Sequence, residues 1–309
     1  TGPATHRDTM LHSRWSSELL VLSAADQTGL LKQLNDLKRY ITAKPNTALA
    51  DIAFSLADTK AAEHRLAIIA KDLADLEKKI DLVLGKFANP GTDKLQTRNG
   101  IYYQQAGKPG KIALLFPGEG AQYPNMLADL CMLFPIVRKW FDLLDQTFPE
   151  RENPPSRFVF SAPTSLTKDE LALIEQQLFD MDLGSETVFT ANMALNALLG
   201  EFGIRPDAML GHSTGENAAL LASGTMRNDT DEQLSEKMRH LNAIYEELKS
   251  SDRIPRGALL TVGAISPETL KAYLDDCDMD IMLAIDNCPN QIVLFGESAN
   301  AGRLVSLGL

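Results

Sequence analysis

The pentapeptide Gly211-His212-Ser213-Thr214-Gly215, with what flanks it, limits this chain's fold more than any other feature. Before it, IRPDAML reads as a short strand; after it, ENAALLAS reads as a helix. So tight a turn brings two backbones close, which glycine on both sides permits, and it holds the serine out from the sheet on a strained backbone. The amides that open the following helix face any oxyanion that forms on a carbonyl attacked by that serine. A plain turn is the rival reading, and the strand and helix on either side favour catalysis.

A second glycine turn, Gly118-Glu119-Gly120-Ala121-Gln122, follows the apolar run KIALLF at 111–116, which is typical of a buried parallel strand. An oxyanion hole takes two backbone donors from different segments, and the amides of Glu119 and Thr214 would supply them. PGEGAQYPN lacks the third glycine of a dinucleotide fingerprint. Arg239 lies in the helical pattern DEQLSEKMRHLNAIYEEL; by periodicity alone it is a solvated residue, although arginine can hold a carboxylate through two parallel hydrogen bonds.

Composition sets the outer bounds. The 309 residues are 44% hydrophobic and 23% charged, enough for two or so globular domains. No stretch approaches the ~20 apolar residues of a membrane span, and TGPATHRDTM has no signal-peptide core, so a cytoplasmic protein is expected. Lys and Arg number 30 against 41 Asp and Glu, a net charge of −11. That argues against nucleic-acid or membrane partners, and an anionic substrate would need a local cation. Cys131, Cys277 and Cys288 have no metal-ligand or disulfide spacing, so no metal is expected and buried free thiols are.

The organisation is α/β. A polar tail occupies 1–17. Residues 18–108 read as a small α/β module of two strand–helix units: ELLVLSA followed by the stripe Leu30, Leu34, Leu37, Ile41, then HRLAIIA followed by Leu73, Leu76, Ile80, Leu84 and a stop near Gly85. IYYQQ (101–105) reads as an edge strand. A core follows at 109–256. Residues 257–309 read as strand, helix, strand, strand, helix, most of a βαββαβ ferredoxin-like subdomain that reads as truncated at its C-terminus.

KIALLFPGEGAQYPNM, GIRPDAMLGHSTGENAALLASG, KMRHLN and NCPNQIVLFG together resemble the acyltransferase domain of type I polyketide and fatty acid synthases and the malonyl-CoA:acyl carrier protein transacylases. The form GEGAQYPNMLADLC is similar to the iterative polyunsaturated fatty acid or enediyne kind. Residues 18–108 resemble the ketosynthase–acyltransferase linker. The resemblance implies an α/β-hydrolase-like acyltransferase core in which Ser213 is the nucleophile and the Glu119 and Thr214 amides form the oxyanion hole. Arg239 would clamp the malonyl carboxylate, with Gln122, His212 and Asn287 also at the substrate. It implies no bound cofactor, malonyl-CoA as donor, and the phosphopantetheine of an acyl carrier protein as acceptor, with a ketosynthase adjacent in the polypeptide. The sequence departs from the pattern in having Glu119 for glutamine and Ala121 for serine, and Arg239 one residue further from the serine. The family's base histidine falls about a hundred residues after the serine, past Leu309, and none of His6, His12, His64, His212 or His240 matches it. A serine hydrolase or thioesterase, and a non-catalytic docking scaffold, are the rival functions.

Overall fold

The computed structural model describes residues 15–58, 60–88, 91–105, 110–160, 166–251, 257–275, 280–297, 299–300 and 302. It divides into two compact units, one comprising residues up to 114 with 129–135 and 199–210, the other comprising 115–128, 136–198 and 211 onward.

The first unit is built from β1 (Glu18–Ala24), α1 (Gln27–Ala43), α2 (Leu49–Ala57), β2 (His64–Ala70), α3 (Leu73–Phe87), β3 (Lys94–Gln96) and β4 (Ile101–Gln105). The strands form an antiparallel sheet in the order β1-β2-β4-β3. Alternate residues face the helices, and the register stacks them: Leu20 opposite Ile68, Leu22 opposite Leu66, then Ile68 opposite Ile101 and Leu66 opposite Tyr103, all buried. The expected stripes of α1 and α3 close this core, each fully buried aliphatic side chain contributing roughly 1.5–3 kcal/mol. Both strand–helix units use one device to start the helix. Asp26 and Asp72 accept hydrogen bonds from the amides of Gly29 and Asp75, satisfying donors that the first helical turn leaves unpaired. Three details differ from the sequence reading. α3 runs past Gly85 because Phe87 still has the core to pack on, α2 is an additional helix laid on β1, and β4 is interior, the edge being taken by β3.

Lys79 is the buried cation of this core. Its ammonium donates to Asp75 Oδ2 and to the carbonyl of Ile69, both at 2.7 Å. The hydrogen bond from Lys79 holds the Asp75 carboxyl below its usual range, against an opposing push from burial. A depressed folded-state pKa gives stability that is present above the unfolded value, about 3.9, and is lost as pH falls through the folded value. Asp75→Asn is therefore expected to lower the melting temperature at pH 7, and its deficit against the parent should shrink as pH drops below about 4. Melting curves from pH 7 to pH 2.5 check this, and a deficit independent of pH would contradict it.

The chain continues through β5 (Ala113–Phe116), α4 (Ala128–Leu133), α5 (Pro135–Thr147), α6 (Ser156–Val159), α7 (Lys168–Leu178), α8 (Met181–Glu201), β6 (Ala208–Gly211), α9 (Thr214–Ala222), α10 (Asp231–Ser250), β7 (Ala258–Gly263), α11 (Pro267–Asp275), β8 (Ile281–Cys288) and β9 (Gln291–Gly296). β5 and β6 pair with each other, and their C-terminal ends, Leu115 and Phe116 of β5 and Gly211 of β6, belong to the second unit. The centre of that unit is α8, in which every residue from Leu183 to Ala194 is buried. Val137, Phe141 and Leu144 make the buried face of α5.

In the last segment the strand order is β7-β9-β8, antiparallel throughout, over a small core of Val262, Leu270, Ile292 and Leu294. These are the first four elements expected there; the expected final helix falls mostly outside the described residues. The β8–β9 register slips between Asp286 and Cys288, so Asn287 is the extra residue of a bulge. The expectation of buried thiols fails here. Cys288 ends β8 at an exposed hairpin, with its Sγ 3.1 Å from Asn290 Oδ1, while Cys131 is half-buried and Cys277 lies outside the described residues. Among the described residues no helix is long and apolar enough to cross a membrane.

Candidate active site

β6 delivers the chain to Ser213, whose φ of 53° and ψ of −125° lie where side chains are strained. Two contacts hold the turn: the His212 amide donates to the carbonyl of Phe116 at 3.0 Å, and the Gly215 amide to that of His212 at 2.9 Å. The flanking glycines are steric necessities. A Cβ on Gly211 would stand 2.3 Å from the amide nitrogen of Glu216, and one on Gly215 would stand 2.0 Å from the carbonyl oxygen of Phe116. The spacing legible in the sequence thus records where α9 crosses the ends of β5 and β6.

The loop after β5 meets this turn through Glu119. The Thr214 hydroxyl donates to Glu119 Oε1 at 2.7 Å, and the Ser213 hydroxyl makes a longer contact, 3.4 Å, to Oε2. Thr214 Oγ1 also lies 3.2 Å from Ser185 Oγ on α8. The carboxylate therefore stands at the nucleophile itself. Sequence reasoning weighed only the amide of Glu119; the available signal was the carboxylate standing where the resemblance has an amide side chain.

Gln122 is buried and serves its own loop, with Oε1 accepting from the Gly120 amide at 2.7 Å and Nε2 donating to the Leu178 carbonyl at 3.3 Å. Asn192 of α8 holds the same loop by donating to the Pro117 carbonyl at 2.9 Å. His212 points to the bulge in β8, its Nε2 donating to Asn287 Oδ1 at 2.9 Å. A nitrogen that carries that proton cannot serve as base to the serine. The other described histidines stand elsewhere, His64 on Tyr103 and His240 on the exposed part of α10.

Arg239 does not join the group. It is exposed, and its Nη1 donates to the Thr147 carbonyl at 3.3 Å, at the C-terminal end of α5. A guanidinium there meets one of the carbonyls that the last turn leaves without a helical partner. Ser235, one turn earlier on α10, touches the Thr147 hydroxyl at 2.9 Å, so this stripe of the helix is committed to α5. The neighbouring stripe, Leu234, Met238, Leu241 and Tyr245, lines a cavity of about 310 Å³ that also borders α8 and α9 and reaches the nucleophile turn at Thr214.

An ion pair on the cavity wall escaped sequence reasoning altogether. Arg151 grips Glu186 of α8 with two hydrogen bonds, of 2.7 and 2.9 Å, stacks on the Phe148 ring, and shares the carboxylate with Asn242, which donates at 3.0 Å. Its one signal was the polar run SETVFTAN inside an otherwise apolar helix. Arg151→Met strips two charged donors from a buried carboxylate and is expected to cost about 3–5 kcal/mol, whereas Arg151→Met with Glu186→Leu should recover most of the loss. Urea midpoints of the two variants decide it; equal destabilisation would refute the argument. Among the described residues no group of three or more His, Cys, Asp or Glu is placed to hold a metal ion.

Residues 113–307, more than half of the chain, match the family described as "Acyl transferase domain", and residues 18–80 match "CurL-like, PKS C-terminal". The chain belongs to the acyl transferase domain family, in the form found within polyketide synthases. It is 28% identical over 282 residues to the spectinabilin polyketide synthase system protein NorA' of Streptomyces orinoci, covering 90% of this chain and 7% of that protein. Among solved structures, the acyl transferase domain of ZmaA superposes with a TM-score of 0.70 at 22% identity, covering 95% of this chain and 62% of that one. The acyltransferase domain from the second module of the salinomycin polyketide synthase gives 0.58 at 26%, covering 93% and 62%. The chain therefore spans under two thirds of these structures and a small part of the synthase.

Proposed function

We propose that this chain transfers an acyl group from a CoA thioester to the phosphopantetheine thiol of an acyl carrier protein, with Ser213 as the covalent carrier. The observation that carries the reading is Ser213 itself, strained between β6 and α9 with its hydroxyl facing the Glu119 loop. Ser213 Oγ attacks the thioester carbonyl carbon, the C–S bond breaks, and CoA leaves as the thiol with the proton the serine gave up. The pantetheine thiol then attacks the acyl-serine, takes the acyl group as a new thioester and returns the proton to Ser213. The amides of Glu119 and Thr214 stabilise the oxyanion in both steps. The Glu119 carboxylate accepts from the hydroxyl and so fixes which way its oxygen points, and His212 with Asn287 ties the turn to β8.

We read the core as α/β-hydrolase-like, β7 to β9 as part of a ferredoxin-like subdomain, and the first unit as a linker to a ketosynthase in the same polypeptide. The resemblance makes malonyl the acyl group and Arg239 the residue that would hold its carboxylate; Arg239 Nη1 here donates to the Thr147 carbonyl at 3.3 Å. The test is intact-mass detection of an acyl adduct after brief exposure to acyl-CoA, followed by addition of phosphopantetheinylated carrier protein. Discharge to the carrier supports the transferase, and discharge only to water would make the protein a hydrolase.

A further inference from the structure

We infer that Glu119 gives this site a second activity, hydrolysis of the acyl-serine, by acting as general base to water when no carrier thiol arrives; the inference rests on the acyl-serine reading above. In the free enzyme Glu119 Oε2 accepts from the Ser213 hydroxyl at 3.4 Å. Acylation removes that proton, so the oxygen then faces an ester that has nothing to donate. The other oxygen, Oε1, keeps its 2.7 Å hydrogen bond from the hydroxyl of Thr214, a buried residue whose Oγ1 lies 3.2 Å from Ser185 Oγ. Gln122 and Asn192 hold the loop on either side, at the Gly120 amide and the Pro117 carbonyl. A carboxylate within reach of a nucleophile and aimed by a third group is the arrangement of a base, and the neutral amide of a glutamine at 119 would accept no proton.

The acyl carbon is one covalent bond from Oγ, so a single water bridges it to Oε2, hydrogen-bonded to the carboxylate and roughly 3–3.5 Å from the carbon. Glu119 takes a proton as the water oxygen bonds to that carbon, and the amides of Glu119 and Thr214 hold the oxyanion. The C–Oγ bond then breaks, the proton passes from Glu119 to Ser213 Oγ, and the free acid leaves. The two acceptors need the base unequally. Water, with a pKa of about 15.7, is a poor nucleophile without one, whereas a thiol, at about 8.5, ionises on its own and attacks as thiolate. The carboxylate therefore accelerates discharge to water more than discharge to the carrier, and it clears acyl groups that no carrier collects.

The experiment loads the full chain with malonyl-CoA, removes the excess by rapid desalting, and follows the Ser213 adduct by intact mass in buffer and after addition of phosphopantetheinylated carrier protein. Starting from loaded protein keeps any change in the loading step out of the reading. Glu119→Gln has the same shape and keeps the amide of residue 119, and its adduct is expected to last at least about tenfold longer in buffer than the parent's. Its discharge to the carrier should slow by a smaller factor. Glu119→Asp, which keeps the charge but withdraws it by one methylene, should fall between the two. An independent reading is the solvent deuterium isotope effect on decay in buffer, which reports a proton in flight and should be larger for the parent than for Glu119→Gln. Equal lifetimes in buffer, equal slowing toward water and carrier, or equal isotope effects would each overturn the inference and leave the acyl-serine mechanism standing. No adduct on either the parent or Glu119→Gln would overturn the mechanism and the inference with it.

Discussion

Ser213→Ala is expected to abolish the acyl adduct and to lower transfer by about 10⁴-fold or more, since the neighbouring Thr214 hydroxyl is buried and committed to Glu119 Oε1. The informative companion is Ser213→Gly. Serine and alanine bear the same Cβ in the strained φ of 53°, so Ser213→Ala should leave stability nearly unchanged. Glycine adopts that backbone without the clash, and Ser213→Gly should be more stable than the parent by roughly 1–3 kcal/mol. A dead yet stabilised variant is what strain held for function produces. A turn of no catalytic consequence would gain the same stability and lose nothing in transfer, and that outcome would remove Ser213 from the mechanism. Mass spectrometry of the three proteins beside their urea midpoints gives both readings.

Gly215→Ala should do structural damage of another kind. Its Cβ would lie 2.0 Å from the Phe116 carbonyl oxygen, 2.6 Å from that carbonyl carbon and 2.7 Å from the Pro117 oxygen. These atoms are backbone, with no rotamer to move aside, so α9 must lift from the end of β5. The cost is expected to be about 4 kcal/mol or more, a large share of the ~5–15 kcal/mol that stabilises a domain. Gly224 has a positive φ of 73° and nothing within 4 Å of an added Cβ, so Gly224→Ala isolates the conformational part, roughly 1 kcal/mol. Equal effects at the two positions would mean that the close approach at Gly215 is not what its glycine serves.

Much of the fold was legible because it is written in short-range chemistry. Alternation along ELLVLSA and HRLAIIA, the four-residue stripes of α1 and α3, and the glycines around Ser213 each report a local geometry that only certain residues satisfy. The reach of α3 past Gly85 and the interior place of β4 were not legible, because a helix end and a strand's neighbours depend on which distant surface remains to be covered.

The sequence by itself determined that a serine sits on a strained strand-to-helix turn opposite a second glycine loop, because steric exclusion acts between neighbours in the chain. Only the tertiary structure decided what surrounds that serine. One residue of helix is about 100° of rotation, so whether Arg239 or Met238 faces the cavity depends on how α10 settles against α5 and α8. The meeting of His212 with Asn287 depends on a register slip in β8, and the arrival of the Glu119 carboxylate at Ser213 depends on a loop 94 residues away in sequence. Such placements follow from packing between distant segments, and no local pattern encodes them.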